Sequence, residues 1–132
     1  MGRKKKPLNE LRDGELTRRL DKAFSLFIRQ RDTDGNGEGV CSTCGKFGHY
    51  STMDAGHFIS RRFTNLRWDE RNVHLQCKYC NGYGNGEQFK MARYIDTKYG
   101  KGTADLLHEL RHKKEPPTKI DKIKMIIKYE RK

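Results

Sequence analysis

Acidic residues are scarce in this chain, and so are apolar ones. Against 29 lysines and arginines stand 17 aspartates and glutamates, a formal net charge of +12 over 132 residues. A surplus of that size calls for a polyanionic partner, most simply nucleic acid; an anionic membrane contact or a merely solubilising surface is the plainer alternative. Charge alone does not separate DNA from RNA. Hydrophobic residues make up only 33 % of the sequence, enough for one small core and no more, so a structural metal would help to hold it together. No apolar run approaches the length of a membrane span, and no membrane association is expected. The start, Met1-Gly-Arg-Lys-Lys-Lys, has no apolar stretch behind it, so no secretory signal is expected. Gly2 does not predict myristoylation, because Lys6 stands where that motif needs Ser or Thr.

There are only four cysteines, and their spacing is the most informative feature of the chain. They form two C-x-x-C pairs, Cys41/Cys44 and Cys77/Cys80. Disulfides are formally possible, but two such pairs read better as zinc knuckles in a reducing compartment. Four thiolates fill a tetrahedral zinc shell and leave no open position, so this zinc would be structural and would not activate water.

Along the chain, Leu16, Leu20, Phe24, Phe27 and Ile28 recur at three- and four-residue spacing and predict a helix over about residues 14–31 with Asp13 as its N-cap. Its opposite face carries Arg12, Arg18, Arg19, Lys22 and Arg29. Asp32-Thr-Asp-Gly-Asn-Gly resembles the first half of a calcium-binding EF-hand loop, but Thr43 holds the position that needs glutamate, so a Gly-rich turn is the reading. Residues 40–63 read as the first knuckle, a loop and short strands, with residues 53–59 as one arm of a hairpin. Residues 64–75 read as a loop returning to the second knuckle. Trp68 is read as a packing anchor. A short turn of helix can start at Lys78, and three glycines in the Asn81-Gly-Tyr-Gly-Asn-Gly run oppose a longer one. Further helices are predicted over about 87–99, over about 103–113 with Thr103 as cap, and over about 118–130 after Pro116-Pro117. The basic C-terminal segment would reach along DNA or pack on a partner subunit.

Within the cysteine frame lie residues that a structural zinc does not explain. Hydrolysis of a phosphodiester needs a base to activate water and a cation to neutralise developing charge. His57 is the candidate base, since a neutral imidazole accepts a proton near pH 7. Asp54 and Asn81 offer the oxygen ligands that Mg2+ or Mn2+ prefers. Asn72 can orient His57 or its supporting loop. Taken singly, each has a plainer reading: a satisfied strand histidine, a turn cap, a knuckle terminus. Their joint placement in the frame favours the catalytic one.

The segments Cys41-Ser-Thr-Cys44-Gly, Asp54-Ala-Gly-His57-Phe-Ile-Ser and Asn72-Val-His-Leu-Gln-Cys77-Lys-Tyr-Cys80-Asn81 resemble HNH, or His-Me finger, endonucleases. More narrowly, Asp54 to Arg62 and Thr64 to Gly82 look like the phage NinG/Rap recombination endonucleases. The resemblance covers residues 41 to about 110. It implies an α+β fold: a ββα-metal core with a four-cysteine structural zinc site, flanked by N-terminal and C-terminal helices. It implies His57 as general base, Asn72 as the middle asparagine that holds loop and base, and Asn81 at the last metal-ligand position. Many such enzymes carry His or Asp directly before the base. This chain has Gly56 there, and Asp54, on the same strand face as Gly56, would substitute. Arg61 and Arg62 would grip the scissile phosphate or its neighbour, and Lys78 and Lys90 would reach the DNA backbone from the far side. His49 and His74 rank lower as site residues.

The expected organisation is a flexible basic arm over residues 1–7, an N-terminal helix and turn over 8–35, an HNH zinc nuclease core over 36–100 and a helical basic extension over 101–132. The expected activity is that of an HNH endodeoxyribonuclease, with structural Zn2+ and catalytic Mg2+ or Mn2+. It would act at branched recombination intermediates such as Holliday junctions, as a homodimer, in the cytoplasm of a bacterial host during phage infection. A non-catalytic zinc-knuckle DNA-binding protein is the first alternative, and an RNA-directed module the second.

Overall fold

The computed structural model describes residues 6–131; most of the basic arm expected over residues 1–7 therefore lies outside the described residues. The fold is α+β. Helix α1 (Asp13–Arg31) opens it. A hairpin of β1 (Glu38–Val40) and β2 (Phe47–His49) follows, then a second antiparallel pair, β3 (Met53–His57) with β4 (Val73–Cys77). A four-residue helix α2 (Lys78–Asn81) runs directly off β4, and three helices complete the chain: α3 (Gln88–Tyr99), α4 (Thr103–Lys113) and α5 (Lys119–Glu130). Among the described residues no helix is long and apolar enough to cross a membrane.

The i, i+4 apolar spacing of α1 becomes one buried stripe: Leu16, Leu20, Phe24 and Ile28 are all buried. The cap differs from expectation. Arg12 holds the N-cap position, and the Glu15 carboxylate reaches back to accept from its backbone N–H at 3.2 Å. Asp13 lies one residue inside the helix, where its carboxylate bonds Lys122 Nζ at 2.7 Å. At the far end Asp32 turns the chain. Its buried carboxylate accepts from Arg31 and from the Leu75 backbone N–H at 2.9 Å, and so ties α1 to β4. Residues 32–37 form the expected turn, with Asp34 Oδ1 accepting from the Asn36 and Glu38 N–H groups.

The core has two apolar halves. One joins α1, Trp68, Val73 and the Ile126 and Tyr129 side chains of α5. The other joins Phe58, Ile59 and Leu66 to Met91 and Ile95 of α3 and to Ala104 and Leu107 of α4. Trp68 is the packing anchor expected, and its indole N–H donates to Asp21 Oδ1 at 3.0 Å.

Further expectations need correction; Gly102, not Thr103, holds the N-cap position of α4. The stretch read as a loop over 64–75 becomes strand from Val73. All five residues of β4 are buried, polar His74 and Gln76 included, so no alternation of apolar and polar residues announces it. The C-terminal helix does not extend away from the body. It lies along α1, where Arg19 makes a two-pronged contact with Glu130 at 2.7 Å and the buried Lys122 ammonium bonds Asp13 and Thr17.

Candidate active site

The β1–β2 hairpin and the β4–α2 junction bring the four cysteines together. The hairpin turn is shaped by Gly45, whose φ of 78° favours glycine, and by Cys41 N–H donating to Lys46 O at 2.8 Å. Cys77 ends β4, and Cys80 lies in the single turn of α2. All four Sγ atoms lie within 4.8 Å of one another, and Cys44 and Cys77 are 3.8 Å apart. A disulfide needs about 2 Å, whereas sulfurs about 2.3 Å from a shared tetrahedral ion stand about 3.8 Å from each other. The donor set therefore fits a thiolate zinc site. Among the described residues it is the one cluster of three or more His, Cys, Asp or Glu ligand atoms. Burial, with the Cys77 and Cys44 sulfurs close by, pushes the Cys80 thiol up to about 12; a bound cation relieves that cost by stabilising the thiolate.

Beside this cluster a cleft of about 690 Å³ opens along β3, between α1 and the segment that follows α2. His57, Asp54 and Asn81 all line it, together with Arg61 and Lys78. His57 sits at the end of β3, and its Nε2 lies 2.8 Å from Arg67 O. A carbonyl only accepts, so Nε2 carries the proton and Nδ1 is left as the basic nitrogen. Burial pushes the imidazole pKa down to about 4, outweighing the carbonyl contact that raises it, and His57 is neutral at pH 7.

Asp54 and Asn81 meet directly. Asn81 Nδ2 donates to Asp54 Oδ2 at 3.1 Å, and Lys78 Nζ bonds Asp54 Oδ1 at 2.8 Å. A carboxylate and an amide side by side at an open cleft are the donor chemistry a hard divalent ion takes, with water filling the remaining positions. Binding would require Lys78 to swing away and the Asn81 amide to turn its oxygen inward. The Lys78 side chain is mostly exposed.

Asn72 is fully buried, and its side-chain hydrogen bonds go to the loop that follows His57. Its Oδ1 accepts from Ile59 N at 2.7 Å, and its Nδ2 donates to the Ile59 and Leu66 carbonyls, so it staples the 58–72 loop shut. Of the four basic residues expected at DNA, Arg61 and Lys78 are in the cleft. Arg62 and Lys90 are exposed outside its lining. His74 is buried: Nε2 donates to Arg71 O and Nδ1 faces Arg31, so it braces the frame. His49 sits on the surface, bonded to Ser51.

Three contributors were not singled out from the sequence. Asp21 on α1 accepts from both Arg67 and Arg61 and so fixes the loop whose Arg67 carbonyl orients His57. Asp21 was the detectable signal, an acid amid the basic face of α1. Arg29 lines the cleft and donates to Tyr50 O at 3.2 Å. Gln76 is fully buried and donates to Gly86 O at 2.8 Å and to Thr43 Oγ1 at 3.1 Å. It also explains the glycine before His57: a Cβ on Gly56 would run into Gln76 Oε1.

Comparison with known proteins supplies the family. The sequence profile described as "Bacteriophage Lambda NinG protein" matches residues 2–132. The chain belongs to the NinG family. Similar NinG proteins are those of Escherichia phage 933W and Salmonella phage P22, each 37% identical over 70 residues, and of Escherichia phage lambda, 36% identical over 70 residues. Each match covers 52% of this chain and 32% of the relative, so the matched region spans about a third of those NinG proteins. No solved structure matches.

Proposed function

We propose that this NinG-family chain is a metal-dependent endonuclease of the HNH type that hydrolyses DNA phosphodiester bonds. The observation that carries the reading is the state of His57: neutral, with Nε2–H held by the Arg67 carbonyl and Nδ1 free, in one cleft with the Asp54–Asn81 pair. A proton acceptor in fixed orientation beside two hard oxygen donors is the minimum that hydrolysis of a phosphodiester asks of a protein. In this scheme His57 Nδ1 takes the proton of the attacking water. Asp54 and Asn81 would hold Mg2+ or Mn2+, which would supply positive charge to the phosphate and the leaving oxygen. Arg61 and Arg29 hold the strand by its phosphates. Resemblance to the HNH enzymes favours departure of the 3′-oxygen and a 5′-phosphate product. Resemblance to the NinG/Rap enzymes favours branched DNA as substrate, a phage-infected bacterial cell as setting, and a homodimer, which a strictly monomeric mass by light scattering with and without junction DNA would reject.

The decisive experiment compares wild type and His57→Ala on linear, nicked, flapped and four-way DNA with Mg2+ or Mn2+. Wild type is expected to cut at least one of them, and His57→Ala to bind DNA and keep its zinc but not cut. Wild type that cuts none rejects the reading, and His57→Ala that cuts as well as wild type rejects the mechanism. One observation favours a second reading: the Lys78–Asp54 ion pair already neutralises the carboxylate, as it would in a zinc-knuckle protein that binds DNA without turnover. That reading predicts DNA binding without turnover and no divalent ion taken up near Asp54 and Asn81.

A further inference from the structure

The segment that closes the cleft carries aromatic rings that the proposed hydrolysis does not use. From residue 78 onward its side chains divide into two sets. Lys78, Asn81, Gly86 and Gln88 line the cleft. Tyr79 and Tyr83 fall among them in sequence and Phe89 follows them, and all three stand outside the lining, 68 %, 88 % and 75 % exposed. Single exposed apolar residues are ordinary; three large rings on the one short segment that supplies a cleft wall are a concentration. The rings are also arranged. Tyr79 and Tyr83 adjoin, with centroids 5.9 Å apart and planes inclined by 30°, and the Arg93 guanidinium lies 4.9 Å from the centre of the Phe89 ring. Lys78 and Lys90 add exposed ammonium groups to the same rim.

Open ring faces among cations suit one chemistry above others, the flat face of an unpaired nucleobase attached to a phosphate chain. Bases inside a duplex already stack on one another and offer no free face. We propose that Tyr79, Tyr83 and Phe89 form a stacking rim that takes the unpaired bases of a single-stranded DNA segment at the mouth of the cleft. The rim would select DNA with unpaired bases beside the cut, which no base-edge contact is needed to read. A second copy of the chain fits the same apolar area less well, because it would bring Lys78, Lys90 and Arg93 against their own like charges. The proposal rests on the cleft being a nucleic-acid site but not on its being catalytic.

Its test is therefore binding, measured without added divalent ion. A fluorescein-labelled oligothymidylate and a labelled duplex of equal length are titrated with wild type, Tyr83→Leu, Tyr79→Leu, Phe89→Leu and Tyr83→Trp. Leucine keeps apolar area and removes the π face; tryptophan restores it. Each leucine variant is expected to lose at least about fivefold in affinity for the single strand, to bind the duplex as wild type does, and to keep the salt dependence of binding, since no phosphate contact is lost. Tyr83→Trp is expected to bind the single strand at least as tightly as wild type. Zinc content and circular dichroism confirm that each variant is folded. Leucine variants that bind the single strand like wild type overturn the proposal, as does a fall in molecular mass in the leucine variants, which would make the rim a self-association surface. Loss of single-strand binding in a protein that never cuts would leave the rim standing and reject the nuclease; unchanged binding in a protein whose cleavage needs His57 would do the reverse.

Discussion

In the proposed scheme His57 serves as a base because of what surrounds it. Burial depresses its pKa to about 4, below the ordinary histidine value near 6.5. A depressed pKa means that the imidazole stays neutral, and competent to accept a proton, down to that lower pH; it is lost as a base only as the pH falls through about 4. Single-turnover cleavage is therefore expected to stay level between neutral pH and about pH 6, with the acid limb well below 6.5, where zinc content is followed in parallel. An acid limb centred at 6.5 would show that His57 is solvated during the reaction. Gly56 invites the opposite kind of test. Gly56→Ala places a methyl against Gln76, which its bonds to Gly86 and Thr43 hold in place. Urea denaturation is expected to show a loss of about 1–3 kcal/mol, as overpacking usually costs. Gly56→Asp should be no better a metal ligand than glycine, because the position has no room for one. The sequence marks Gly56 as a departure from the HNH pattern. Its cause lies in a glutamine on the facing strand, and no local spacing reveals that.

Elements were legible where a periodic pattern covers one face. The stripes on α1 and α3 and the breakers around α4 and α5 place those helices to within a residue or two. The strand β4 was partly hidden, because a strand buried on both faces has no period of two. The docking of α5 was hidden for another reason. An amphipathic helix states that one face will be covered but not by what, and here Ile126 and Tyr129 meet Phe24 and its neighbours on α1, a hundred residues earlier in the chain. The extension is thus half of a core. Ile126→Ala is expected to destabilise the whole protein by about 2–5 kcal/mol in one cooperative transition. A separate early transition confined to the C-terminal helix would show that α5 folds on its own account.

Across the whole molecule the two metal chemistries of the proposed scheme would separate. The thiolate cluster is closed and partly buried, while the Asp54–Asn81 pair is open to the cleft and supplies two donors. Brief EDTA treatment is expected to stop cleavage and leave fold and most zinc in place, with activity restored by Mg2+ alone; Cys77→Ser is expected to lose both zinc and soluble fold. Cleavage that survives EDTA, or that only zinc restores, would show that this division of labour is wrong. The cysteines and the cleft residues could be named from the sequence because both sit in a short frame. The Asp21–Arg67–His57 chain could not, since it joins a helix to a loop far along the chain.

Cys80 and Asn81 are consecutive residues on the same single turn of helix. That turn acts as a lever with its fulcrum at the end of β4: one arm is clamped by sulfur, and the other reaches the cleft. The size of an ion held by the sulfurs would thus bear on where Asn81 stands. A wider soft ion such as cadmium in the cluster would lengthen the short arm and swing the amide, so the geometry of the cleft carries a reading of which metal the cysteines hold.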